Sequence, residues 1–149
     1  YTNMTRQTKT VTLGMLGENI IRDNVQNATK TEDWYDSEKD GTVGMETYEV
    51  KTARLNNKHQ GLFVNETQYT KIDNVDINYY VRVPESAAQK IKFYRYYADR
   101  WIEELEMNGT LGRIYHIDHM EYIGMDKDPK KIEQFLELSK SLSTHGRFI

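Results

Sequence analysis

Within the run Glu46-Thr-Tyr-Glu-Val-Lys-Thr52, the tripeptide Glu49-Val50-Lys51 sets a carboxylate two positions from an ammonium. In an extended segment alternate side chains share a face, so Glu49 and Lys51 project together while Tyr48, Val50 and Thr52 point the other way. Asp40 lies just ahead, in the turn-like Glu38-Lys39-Asp40-Gly41. Two carboxylates converging on one point make a hard oxygen site suited to Mg²⁺, which keeps most of its waters and takes a substrate phosphate as a further ligand. Lys51 beside them would stabilise negative charge developing at phosphorus or orient an attacking water. Alone, E-x-K has a plainer explanation, alternating charges on a solvated strand face. Val43 and Met45, on the expected face of Glu49 and Lys51, make that face partly apolar, and ionised groups among apolar neighbours usually have partners or a chemical role.

The elements that must position these residues follow from periodicity. Residues 11–27 are expected to form a helix, with Met15, Ile21 and Val25 on one apolar stripe and Leu13, Leu16 and Ile20 on a line beside it. Glu18 falls on the first stripe, where it either faces the protein body or pairs at the boundary with Arg22. Trp34-Tyr35 and 42–53 suggest two strands turning around Lys39-Asp40-Gly41. Residues 61–64 suggest another strand, after which Asn65 or Thr67 caps a short helix carrying Gln68, Tyr69 and Lys71. Residues 77–83 are rich in β-branched and aromatic side chains, as a strand requires, and Pro84 closes them.

From Ser86 the period changes. Ser86 with Gln89 makes a capping box, Ala88, Ile91, Tyr94, Ala98, Trp101 and Leu105 recur at helical spacing, and Asn108-Gly109 stops the run. The pattern predicts one long helix over 86–108. Its Phe93, Tyr94, Tyr96, Tyr97 and Trp101 are interleaved with Lys90, Lys92, Arg95 and Arg100, a composition suited to packing, a subunit interface or nucleic-acid contacts. Residues 112–123 look extended, and Asp128-Pro129 opens a final amphipathic helix through Ile132, Phe135, Leu136 and Leu142. His116 and His119 would point opposite ways in a strand and lack a third ligand at sensible spacing, which argues against a zinc site. Gly112-Arg-Ile-Tyr115 and Tyr122-Ile-Gly124 superficially suggest a GIY-YIG nuclease, but the gap is short and too little chain follows.

At 149 residues there is room for one domain with a core and little room for a second. The absence of cysteine excludes disulfides and thiolate metal sites. No apolar run approaches a membrane span, and Tyr1-Thr-Asn-Met-Thr5 lacks the apolar core of a signal peptide, so a soluble, cytoplasmic protein is expected. A net charge of −3 does not mark a nucleic-acid binder, so any DNA surface must be a local patch. The stretch from Lys51 to His59 offers one, with Lys51, Arg54, Lys58 and His59 and no acid; a solvated basic loop is the alternative.

The ordered set of a helix with Glu18, then Asp40, then Glu49-Val50-Lys51, a strand, Gln68 on a short helix and a further strand resembles the PD-(D/E)XK restriction-like nuclease superfamily over residues 11–84. The likeness is most local in Lys39-Asp40-Gly41, Tyr48-Glu49-Val50-Lys51-Thr52, Leu62-Phe63-Val64-Asn65 and Gln68. No proline precedes Asp40, and Asp33 and Asp36 also lie ahead of the motif strand, Asp36 being the rival for Asp40's place. The resemblance implies an α/β (α+β) fold with a restriction-endonuclease-like core, a central mixed β-sheet flanked by helices, and a C-terminal helical and strand extension. Residues 1–149 would form a single nuclease domain, with 11–84 its catalytic core and 85–149 serving DNA contact and oligomerisation.

What the resemblance implies chemically is hydrolysis of a DNA phosphodiester with Mg²⁺ or Mn²⁺, leaving a 5′-phosphate and a 3′-hydroxyl. Asp40 and Glu49 would hold the metal with the Val50 carbonyl, Asp36 being the alternative ligand. Lys51 would activate or stabilise, Glu18 would be an accessory acid, and Gln68 would position phosphate or water. Arg54, Lys58, His59 and Lys71 would contact DNA. The length and the segment after Pro84 are similar to the small restriction-fold homing endonucleases of group I introns, which implies site-specific cleavage of double-stranded DNA by a homodimer or homotetramer. A type II restriction enzyme, a junction resolvase and a phage nuclease stay open. So do a non-catalytic DNA-binding module on the same scaffold and a partner-binding protein in which Glu49 and Lys51 form a surface ion pair of little worth.

Overall fold

The computed structural model describes residues 6–30, 39–54, 61–84, 89–126 and 128–143. Helix α1 (Arg6–Asn24) opens the chain, followed by the short strands β1 (Ala28–Lys30) and β2 (Gly41–Val43) and the longer β3 (Glu46–Arg54). Strand β4 (Gly61–Asn65) leads through a 3₁₀ turn into helix α2 (Tyr69–Asn74) and strand β5 (Ile77–Val83). Strands β6 (Ile91–Tyr96), β7 (Glu103–Met107), β8 (Thr110–His116) and β9 (Glu121–Asp126) follow, and helix α3 (Pro129–Ser143) ends the described chain. The fold is mixed α and β. Six strands form a mixed sheet in the order β1-β2-β3-β5-β6-β9, and β4-β8-β7 form a second, antiparallel one.

Strands β3 and β5 are parallel, and every other pair in the large sheet is antiparallel. One face of this sheet, with Tyr48, Val50, Ile77, Tyr79, Val81 and Phe93, packs under α1 and α3 through Leu13, Ile20, Ile21, Ile132 and Phe135. The opposite face, with Ala53, Tyr80, Tyr94 and Tyr96, packs against Leu62, Val64 and Tyr115 of the small sheet and Ile72 of α2. Strand β5 is therefore covered on both sides, as its near-continuous apolar run requires. Among the described residues no helix is long and apolar enough to cross a membrane.

The expected strands 61–64 and 77–83, the short helix after Asn65 and the final helix from Pro129 are all present. Asn65 Oδ1 accepts the Thr67 N–H, so Asn65 is the cap. Three expectations are corrected. The segment 42–53 is not one strand: Gly44, at a φ of 62°, and Met45 make a two-residue turn between β2 and β3. Met45 is fully exposed there and does not share a face with Glu49 and Lys51, and Lys39-Asp40-Gly41 lies at the start of the β2–β3 hairpin instead of forming its turn. The other strand expected in that hairpin, at Trp34-Tyr35, lies outside the described residues.

Second, the helix expected over 86–108 is two strands, β6 and β7, within its described residues. Strand β6 buries Ile91 and Phe93 on one face of the sheet and Tyr94 and Tyr96 on the other. A strand apolar on both faces contains helical spacings by accident, and aromatic side chains favour the pleated surface. Asn108 and Gly109, with φ of 52° and 79°, form the tight turn joining β7 to β8, so the supposed helix stop is a hairpin signal.

Third, the buried side of α1 runs through Leu13, Gly17, Ile20 and Ile21, while Met15 is exposed. At Gly17 a Cβ would lie 1.8 Å from the Thr52 Oγ1, so only glycine lets the helix come this close to β3. That approach carries the next residue, Glu18, into the protein body, where it is buried.

Candidate active site

Strand alternation does what the sequence predicts at Glu49 and Lys51. Both leave β3 on the face opposite Tyr48 and Val50, with Lys51 Nζ 3.0 Å from Glu49 Oε2. Glu49 is 2% exposed, so this is no surface pair. Lys51 also donates to Gln68 Oε1, which arrives from the 3₁₀ turn after β4. Asp40 reaches the same place from the other side. Strand β2 stops pairing with β3 at Gly41↔Tyr48, leaving the Val50 N–H on an open edge, and Asp40 Oδ2 accepts it at 2.7 Å.

Lys71 completes the group from α2. Its Nζ lies 3.3 Å from Glu49 Oε1 and 3.9 Å from Asp40 Oδ1, so one ammonium bridges the two carboxylates. The contact with Glu49 Oε1 is an ion pair without hydrogen-bond geometry, and that oxygen has no hydrogen-bond partner among the described residues. The sequence places Lys71 on the DNA; the structure places it between the two expected metal ligands.

Burial sets the proton affinities. Glu49 is pushed up to about 7, first by burial, with Asp40 adding to the rise and Lys51 and Lys71 opposing it. Glu18 is also pushed up to about 7, again first by burial and then by the charge of Asp40, with Lys30 and Lys71 opposing and Glu49 adding. Glu18 thus senses both carboxylates, although Arg22, its expected boundary partner, pairs with Asp23 instead. Both acids can exchange a proton close to neutral pH.

Beside the group lies a polar cleft of about 650 Å³ lined by Lys39, Thr47, Thr67, Gln68, Thr70, Lys71 and Asn74. Two ammonium groups, hydroxyls and amides without a carboxylate suit an anion such as phosphate. Helix α2, which forms one wall, is held by Arg113 of β8. The guanidinium lies 3.9 Å from the Tyr69 ring centroid and 3.3 Å from Asp73 Oδ1. That is the structural use of the Gly112-Arg-Ile-Tyr115 segment. Gly112 faces Phe63 and the Val64 carbonyl across the β4–β8 pair.

The donor set suits a hard divalent cation. Asp40 and Glu49 share one positive charge already, that of Lys71, and offer only oxygen. Among the described residues there is no group of three or more acidic or histidine side chains close enough to hold a metal. A pair of carboxylates completed by waters and phosphate is the usual Mg²⁺ arrangement. Asp36, the alternative ligand, lies outside the described residues, as do Lys58 and His59 and the side chain of Arg54.

The histidines also differ from expectation. A 3₁₀ turn, Ile117–His119, brings the rings of His116 and His119 to 6.5 Å, edge to face, and His116 Nδ1 accepts the Asp118 N–H. The aromatic residues of 86–108 do not form one surface: Phe93, Tyr94 and Tyr96 are buried, while Tyr97 stacks with Arg95 and Arg100. Sequence reasoning quoted Lys39 only as the neighbour of Asp40 and missed its place in the cleft, missed Thr70, which carries no motif, and missed Tyr96 as a neighbour of the site, which requires β6 to be a strand. Compared with known proteins, the chain matches no family model, no curated protein and no solved structure.

Proposed function

We propose that this protein is a metal-dependent endonuclease that hydrolyses phosphodiester bonds of double-stranded DNA. The observation that carries the reading is the burial of Glu49 between Lys51 and Lys71, beside Asp40, with Lys71 also lining a cationic cleft. Burying a carboxylate costs several kcal/mol that an ion pair rarely recovers in full, so a surface or purely structural pair is a poor account of it.

In this reading Asp40, Glu49 and the Val50 carbonyl hold Mg²⁺ or Mn²⁺. A metal held there would supply Lewis-acid stabilisation and lower the pKa of a water. Lys71, which already lines the cleft, would with Lys39 meet the DNA backbone there. Lys51, aligned by Gln68, presents its ammonium to charge developing on the phosphoryl oxygens. Glu18, with its raised proton affinity, takes up or releases a proton near neutral pH. Water gives up a proton and bonds to phosphorus as the P–O3′ bond breaks, and the 3′-oxygen leaves with a proton, giving a 5′-phosphate and a 3′-hydroxyl.

The finer role follows from the family resemblance: a restriction-like, site-specific homing endonuclease working as a homodimer or homotetramer, its subunits repeating contacts along the duplex. The test is digestion of a complex DNA mixture with Mg²⁺ or with EDTA, followed by sequencing of the broken ends. Discrete ends that require Mg²⁺ and disappear in Glu49→Gln are expected. A long shared sequence at those ends identifies homing, and a short one restriction. Absence of Mg²⁺-dependent ends on linear and branched DNA overturns the enzyme reading.

A further inference from the structure

Strand register sets a buried polar row beside Glu49. Glu49 of β3 stands opposite Asn78 of β5, and Asn78 stands opposite Tyr96 of β6. Directly opposed residues point to the same face of a sheet, so the three side chains lie abreast across three strands. All three are buried. Glu49 Oε1, Asn78 Oδ1 and the Tyr96 hydroxyl are each buried without a hydrogen-bond partner among the described residues.

Asn78 and Tyr96 are both held in place. Asn78 Nδ2 donates to the Ile72 carbonyl at 2.9 Å, tying the strand next to Glu49 to α2, the helix of Lys71. The Tyr96 ring packs on Tyr115 with centroids 4.9 Å apart, which fixes where its hydroxyl points. Leaving a buried hydroxyl unpaired is costly, and phenylalanine would fill the same space without that cost. Burial first, and then the negative charge of Glu49 with smaller effects of Tyr115 and Asp40, hold this phenol protonated, so it remains a donor on the face that Glu49 shares.

We propose that Tyr96 is a positioning residue for Glu49, its hydroxyl serving as the donor that orients the carboxylate when Glu49 holds a cation, with Asn78 spanning the strand between them. The inference rests on the metal-dependent reading above and adds a residue to it. A phenol is a donor at neutral pH, and a carboxylate engaged by a metal keeps lone pairs for such a donor. Partners behind the ligands commonly set metal affinity, and their removal typically weakens it ten- to a hundredfold.

Calorimetric titration of the full chain with Mn²⁺ tests this for wild type, Tyr96→Phe and Glu49→Gln, with thermal melts and cleavage kinetics alongside. Tyr96→Phe is expected to melt no lower than wild type, to bind Mn²⁺ about tenfold more weakly, and to lose kcat with KM for DNA unchanged. Tyr80→Phe, which removes another buried hydroxyl without a partner among the described residues, one row away, is expected to bind Mn²⁺ as wild type does. Wild-type Mn²⁺ affinity in Tyr96→Phe, with affinity lost in Glu49→Gln, overturns the role of Tyr96 and leaves the metal reading standing. Wild-type affinity in both variants overturns the metal reading and this inference with it.

Discussion

Asp40 accepts the backbone N–H of Val50 at 2.7 Å, in the ladder position that β2 vacates when it ends. One carboxylate thus closes the edge of the motif strand and sets a negative charge beside Glu49. The two duties separate by substitution. Asp40→Asn retains an acceptor for Val50 and is expected to fold with near wild-type stability while cleaving DNA at least a hundredfold more slowly. Asp40→Ala orphans the N–H as well and should cost a further ~1–3 kcal/mol in urea denaturation.

Lys51→Met removes the ammonium shared by Glu49 and Gln68. Cleavage should fall by about 10²–10³, the usual loss when one donor to developing charge is removed. DNA affinity should hold, because Lys39 and Lys71 still line the cleft. Single-turnover cleavage and gel-shift titration at matched salt separate the two quantities.

Stability should decline as pH rises through the neutral range. Glu18 and Glu49 have ordinary values near 4.5 and are pushed up to about 7 in the folded protein. Between those values the native state binds more protons than the unfolded one, so the contribution of these two groups is full below about 4.5, falls as pH rises and is lost above about 7. The loss is on the order of 3 kcal/mol for each group. Denaturation in the presence of EDTA at pH 5 and pH 8 measures it, and Glu49→Gln should flatten the profile. Mn²⁺ affinity should run the opposite way, rising with pH, because only the ionised carboxylate binds.

Lys39→Ala should weaken DNA binding nearly equally on all sequences and lower the slope of log affinity against log salt by about 1. A change in preference among sequences without a change in slope would instead make Lys39 a base-reading residue.

Gly17→Ala is expected to destabilise the protein by ~1–3 kcal/mol in spite of alanine's higher helix propensity, because its Cβ would meet Thr52. Thr52→Ala removes the nearest atom in that contact and should restore much of the loss. Cleavage should fall in Gly17→Ala and recover in the double variant, since displacement of α1 moves Glu18.

The site was more legible in the sequence than the fold around it. Period-two alternation is strict in β3, so Glu49 and Lys51 are paired by geometry that no tertiary contact can reverse. Glu18 was visible as a carboxylate on an apolar stripe, although the real buried side depends on Gly17, whose reason is a residue on another element. Strand β6 was illegible because both its faces are covered, which erases alternation, and Asn108-Gly109 stops a helix and turns a hairpin equally well. The bridging role of Lys71 needed the position of α2, which Arg113, from much later in the chain, helps to set.

Because β3 and β5 run parallel, the chain must leave the sheet and return between them, and that excursion carries both Gln68 and Lys71. Its strand β4 has no partner until β8 has been made, much later in the chain. Local contacts form fast and distant ones late. On refolding, the hairpin holding Asp40, Glu49 and Lys51 should therefore assemble early, while the cleft waits for the β4–β8 pairing, the strand pair farthest apart in sequence among the described residues. Recovered activity would then lag behind recovered secondary structure and mark the last step of folding.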